Sequence, residues 1–183
     1  MNPFYDMFPR KLEVRGNLYK IRTDFRAVLK AMHDVKEAKE PLARLLAVLQ
    51  LYREIPEDKE AAVRAVADFI TGSSPKQREG SKEKKPTFSY EEDAPYIVSD
   101  FLRDYGIDLT SCGYLHWWKF QILLDGLSDD SSVKTRIGYR SIDTGKIKNR
   151  EERDRIRKIQ RSIALKDTEV DEEQIGELFW DLM

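Results

Sequence analysis

The stretch from Ser111 to Leu127 constrains the fold more than any other part of the chain. It carries nine large apolar side chains: Tyr114, Leu115, Trp117, Trp118, Phe120, Ile122, Leu123, Leu124 and Leu127. A helix that is apolar all round is buried on several sides, so this stretch reads as a central helix around which the other elements pack. Trp117 and Trp118 are consecutive and therefore point about 100° apart on a helix. That geometry predicts one indole against the N-terminal helices and the other against the C-terminal ones. Leu115, Trp117, Trp118, Phe120 and, further on, Tyr139 are the expected core of this region.

The remaining segments are shorter and amphipathic. Leu12 to Ile21 alternates around Arg15-Gly16-Asn17, a hairpin pattern in which Gly16 and Asn17 tolerate positive φ. Thr23-Asp24 can cap a helix with Phe25, Val28, Leu29 and Met32 at helical spacing. Pro41 opens a second helix whose stripe is Leu42, Leu45, Leu46, Leu49 and Tyr52. After the break Ile55-Pro56-Glu57-Asp58, a third helix carries Ala62, Val66, Phe69 and Ile70 and ends near Gly72. Ile97, Phe101 and Tyr105 mark a fourth, stopped at Gly106. Asp129-Asp130 begin a short helix with Val133 and Ile137, and residues 150–163 form a basic helix on an Ile156, Ile159, Ile163 seam. Thr168 with Asp171 resembles a capping box for a last helix bearing Phe179 and Trp180.

The expected class is therefore a mostly α-helical bundle with a short N-terminal β-hairpin. Residues 1–71 are expected as a hairpin plus three-helix unit, and 72–87 as a flexible basic Lys/Ser/Gly-rich linker, since it lacks any large apolar residue. Residues 88–165 are expected as a helical unit centred on LHWWKF, and 166–183 as an acidic amphipathic terminal helix.

Charge and composition narrow the function. The 183 residues include 32 basic and 33 acidic side chains, a formal net charge of −1, which disfavours a globally basic nucleic-acid binder. Locally the balance is broken: residues 134–166 hold 12 basic and 4 acidic side chains, and residues 167–183 hold 7 acidic and none basic. Such blocks fold against each other or serve a partner. One Cys rules out an intramolecular disulfide and fits a reducing cytoplasm, and MNPFYDMFPRK has no apolar core of a secretory signal. No apolar run approaches a membrane span.

Catalytic chemistry has few candidates. Cys112 and His116, four apart, form the one Cys/His arrangement, without a third orienting group; a structural Cys is the preferred reading. Two such ligands do not make a zinc site, and the scattered glycines form no phosphate cradle. No cofactor, no metal and no enzymatic activity are expected. His116, Lys119 and Arg140 are read as partners for buried carboxylates such as Asp100 or Asp125. The interaction candidates are Arg150, Arg153, Arg157 and Arg161 on the basic helix, with Lys146 and Lys148 before it, and Phe179 and Trp180 on the terminal one. The basic helix could track a phosphate backbone, yet it lacks interleaved aromatics for base stacking.

TDFR (Thr23 to Arg26), IPED (Ile55 to Asp58), YGIDL (Tyr105 to Leu109), LHWWKF (Leu115 to Phe120) and GYRSID (Gly138 to Asp143) occur in this order along the chain. In these stretches it resembles the phage gene-product-fifteen family of tailed bacteriophages and prophages, from near Met1 to about Leu165. LHWWKF followed by GYRS is the specific part of the likeness. The family carries no accepted catalytic residues. The resemblance implies a non-enzymatic tail assembly protein, in particular a chaperone binding the tape-measure protein or a tail-tube component in the host bacterial cytoplasm, with self-association on the client. The alternatives are a nucleic-acid-binding phage protein using helix 146–161, and a structural tail or head-tail completion protein of the virion.

Overall fold

The computed structural model describes residues 4–72 and 86–166. Within them run a hairpin, seven α-helices and one short 3-10 turn. The linker expectation for 73–85 and the terminal-helix expectation with Phe179 and Trp180 lie outside the described residues. No helix among the described residues is long and apolar enough to cross a membrane. The chain forms two compact units, and in the described residues the first comprises 4–72 with 113–123 and the second 86–112 with 124–166.

In the first unit, β1 (Lys11–Val14) and β2 (Asn17–Lys20) pair antiparallel with Val14 opposite Asn17, leaving a two-residue loop. Positive φ falls on Arg15 (51°) and Gly16 (80°), so the strained position is Arg15 and not Asn17. A two-residue hairpin loop that matches strand twist needs positive φ at both of its residues, which is why the strain shifts one place forward. The Arg15 guanidinium, 2.7 Å from Asp58, ties the loop to the residue that precedes the third helix.

Helix α1 (Phe25–Glu37) is capped by Asp24, whose carboxylate accepts from Arg26 N. Helix α2 (Pro41–Leu49) opens with proline, and α3 (Lys59–Thr71) is capped by Asp58 accepting from Ala61 N. Val28, Val35, Val48, Val66 and Ile70, each 0–1% exposed, form the centre of the helical core.

The 111–127 stretch is helical over only part of its length, as α5 (Trp117–Asp125). The Asp108 side chain accepts from Thr110 N and the Thr110 and Ser111 hydroxyls, closing a turn around Thr110 and Ser111. Leu115 N then donates to Asp24 Oδ2, Phe25 N to Leu115 O, and Trp117 N to Thr23 O. These long-range bonds hold residues 114–116 extended beside Thr23–Phe25, so a helix cannot begin before Trp117.

LHWWKF consequently belongs with the N-terminal elements, although the sequence places it at the centre of an 88–165 unit. Both indoles face the same end of α3: Trp117 Nε1 donates to Ile70 O at 3.2 Å and Trp118 Nε1 to Phe69 O at 2.7 Å. The reading that divides them between N- and C-terminal helices is therefore corrected. The last turn of α3 leaves carbonyls unpaired, and two adjacent indole N–H groups satisfy two of them. Phe120 stacks on Phe25 at 4.7 Å, while Trp118 is only half-buried.

In the second unit, α4 (Ala94–Tyr105) ends at Gly106 in the left-handed region, φ 65°. Asp100, 1% exposed, accepts from Ser132 N at 3.1 Å and Val133 N at 2.9 Å and so caps α6 (Ser132–Ser141). One turn on, Asp104 accepts from Ser128 N and its hydroxyl, and beside Arg103 its carboxyl is held far below the usual range. Asp100 is thus met by helix-start amides rather than by His116, Lys119 or Arg140. Arg140 instead pairs with Asp93, and Tyr139 is half-buried.

Candidate protein-binding surfaces

Helix α7 (Arg150–Ser162) carries the densest charge of the described chain. Asn149 caps it by accepting from Glu152 N, Glu151 and Glu152 occupy the first turn, and Arg161 the last, all favourable to the helix dipole. Its inner seam runs Ile156, Ile159, Gln160 and Ile163, each buried or half-buried. Ile156 is 5% exposed, and the Gln160 amide donates to Tyr139 O and Ile142 O at the end of α6. Behind this seam, the Arg140 guanidinium binds Asp93 bidentately at 2.6 and 2.9 Å and also donates to Thr87 O and Ile163 O. Arg140 therefore joins the beginning of this unit to its end.

The seam separates the four arginines. Arg153 lies on its flank, half-buried, with Nε enclosed and unpaired. Arg150, Arg157 and Arg161 are exposed and share the opposite face with Asp154 at spacings of four, three and four. Arg157 Nε reaches Thr144 Oγ1, on the turn before the helix, at 3.4 Å. Arg150 Nε lies 3.9 Å from Asp154, too far for a hydrogen bond. Of the four candidate arginines, Arg150, Arg157 and Arg161 therefore share the exposed ridge and Arg153 does not, because composition alone does not say which side of the helix faces inward.

The first unit carries an apolar surface of its own on α2. Leu42 and Leu46, one turn apart, are 66% and 54% exposed. Leu46 borders an open groove of about 430 Å³ between α1 and α2, walled by Ala38, Ala43 and Ala47 and by Asp34 and Glu37. Lys30 and then Gln50 hydrogen-bond the Asp34 carboxyl and hold it below the usual carboxylate range. The sequence stripe of α2 includes both leucines as core, but burial on this helix is confined to its last turn, Ala47, Val48 and Leu49, and Leu42 and Leu46 stand ahead of it.

Cys112 and His116 do not form a pair on one helix face. Cys112 sits in the turn after Asp108, half-buried, its Sγ 3.9 Å from Leu109 O. His116 is 5% exposed, just ahead of α5; its Nδ1 accepts from Trp118 N at 3.1 Å and its Nε2 donates to Pro9 O at 2.9 Å. The ring also stacks on Phe8 at 5.0 Å. Burial pushes the imidazole below its ordinary value, which fits the neutral form that this pair of bonds requires. The capping bond is local, two residues on, but the Pro9 carbonyl that fixes the ring's tautomer is 107 positions away, which no sequence signal reveals. Among the described residues, no group of three His, Cys, Asp or Glu side chains is placed to hold a metal ion.

No curated protein and no solved structure matches the chain. The family model described as Bacteriophage Gp15 protein matches residues 4–165, from the segment before the hairpin to just past the end of α7. The chain belongs to the Bacteriophage Gp15 protein family.

Proposed function

We propose that this phage protein is a non-enzymatic tail assembly chaperone that binds the tape-measure protein, or a tail-tube component, in the host bacterial cytoplasm. The observation that carries the reading is the exposed Leu42–Leu46 pair beside the α1–α2 groove. Two leucines at i,i+4 beside a groove of mixed alanine and polar lining suit the docking of an amphipathic client helix. Exposed apolar surface opposes solubility, so a client that covers these leucines, each already partly covered, gains about 1–2 kcal/mol per leucine before docking entropy is counted. The membership of a bacteriophage family supplies the setting.

Co-expression with the neighbouring tape-measure protein, followed by pull-down and light scattering, tests the reading. A soluble complex is expected, and Leu42→Glu/Leu46→Glu should abolish it while circular dichroism stays unchanged. A tape-measure protein that still aggregates beside the wild-type chain would refute it. Recovery of the protein from mature particles would favour the virion-component alternative.

A further inference from the structure

We infer that the outer ridge of α7 is a docking site for an acidic helical segment of another protein. The ridge presents Arg150, Arg157 and Arg161 on one exposed face. From Arg150 to Arg161 it extends about 16 Å along the helix axis. Carboxylates spaced seven and four on a partner helix fall opposite the three arginines, so the two sets align in register. Arginine suits this match, because its planar fork binds a carboxylate through two parallel hydrogen bonds. Lys158, exposed on the flank of the ridge, adds a further positive charge.

Asp154 decides between a protein segment and a nucleic acid. It occupies the ridge between Arg150 and Arg157, and Glu151 and Glu152 lie on the same first turns. A phosphate backbone carries charge continuously and would meet this carboxylate at the centre of its path. A partner helix can place an uncharged or basic side chain opposite Asp154 and keep its carboxylates for the three arginines. Residues 141–166 also include no aromatic side chain on which bases could stack. The site is independent of the α2 surface, so its failure and that of the chaperone reading are separable.

The test uses the full chain and a fluorescein-labelled, alanine-based helical peptide with glutamates at the seven-four spacing and alanine at the position facing Asp154. A peptide of the same composition with scrambled glutamates and a duplex DNA of equal charge serve as rivals. Binding to the spaced peptide is expected to weaken as salt rises and to fall about tenfold in Arg157→Gln/Arg161→Gln. Circular dichroism of that variant should be unchanged. Equal binding of the scrambled peptide, displacement of the peptide by the duplex, or no binding at low salt would each overturn the inference. So would binding that emerges only in Glu172→Gln/Glu173→Gln/Glu177→Gln, which would assign the ridge to the chain's own terminal segment.

Discussion

Replacing Arg140 with methionine should be among the most damaging single changes in the second unit. The Arg140 and Asp93 side chains are 7% and 1% exposed. Methionine keeps most of the buried length but removes every donor, leaving Asp93 with the Ser89 amide at 3.1 Å as its one remaining described hydrogen-bond donor. Removing one partner of a buried ion pair costs about 3–5 kcal/mol, because the other charge stays buried without compensation. The carbonyls of Thr87 and Ile163 lose a donor as well, but both belong to part-buried bonds and water can replace it. The expected loss therefore stays at about 3–5 kcal/mol, a large share of the ~5–15 kcal/mol typical of a folded protein. For a chain of this size it corresponds to a fall in Tm of roughly 6–20 °C. Thermal melting by near-ultraviolet circular dichroism reads the total. Amide exchange over 86–112 and 124–166 reads whether the loss is local to that unit. In Arg140→Met/Asp93→Leu no charge is left behind, and about half or more of the loss should return. A single-variant loss below about 1 kcal/mol would show that the pair behaves like a solvent-exposed bridge and refute the reasoning.

Three further outcomes are expected. Gly106→Ala should destabilise by about 1 kcal/mol because the left-handed stop of α4 admits a Cβ only with strain, whereas Gly138→Ala, in open space on α6, should stabilise by about 0.5–1 kcal/mol; urea midpoints of the two should move in opposite directions. For His116, the unfolded ring titrates near 6.5 and the folded one lower, so this group leaves stability level above about 6.5 and reduces it as pH falls from there to the folded value. Urea midpoints taken across this range should slope less in His116→Asn, which still accepts a helix-start amide but does not titrate; equal slopes would show that other groups set the acid limit. Asp24→Ala should cost about 1–3 kcal/mol, since both Arg26 N and Leu115 N lose their acceptor, and Asp24→Asn should recover part of it; a neutral Asp24→Ala in the same melting assay would disprove the double role.

What the sequence makes legible here is local. The helix starts at Asp24, Pro41 and Asp58, the stop at Gly106 and the buried seam of α7 follow from caps, proline, glycine and period, and all appear where those signals stand. What it does not reveal depends on partners far along the chain. The shortened α5 is one example: its preceding residues are extended because Thr23 and Asp24, about ninety positions earlier, take their amides. The Asp93–Arg140 pair is another, since nothing in a charge pattern says which of many carboxylates a given arginine will meet. The surfaces divide in the same way. The basic helix is plain from composition, yet which of its arginines face outward, and that Leu42 and Leu46 lack cover, is decided by packing.

The order in which the first unit is assembled has a consequence during synthesis. Its hairpin and α1 to α3 are complete by Gly72, but the residues that bond Ile70, Phe69 and Asp24 come from 113–123. A ribosome adding about 5–20 residues per second needs several seconds to cover that interval. Throughout that time α3 ends in carbonyls still awaiting their indoles, and Phe25 in a ring face still awaiting Phe120. An expression fragment cut after Gly72 would freeze this half-made intermediate, and it should be rescued by supplying residues 113–123 as a separate peptide.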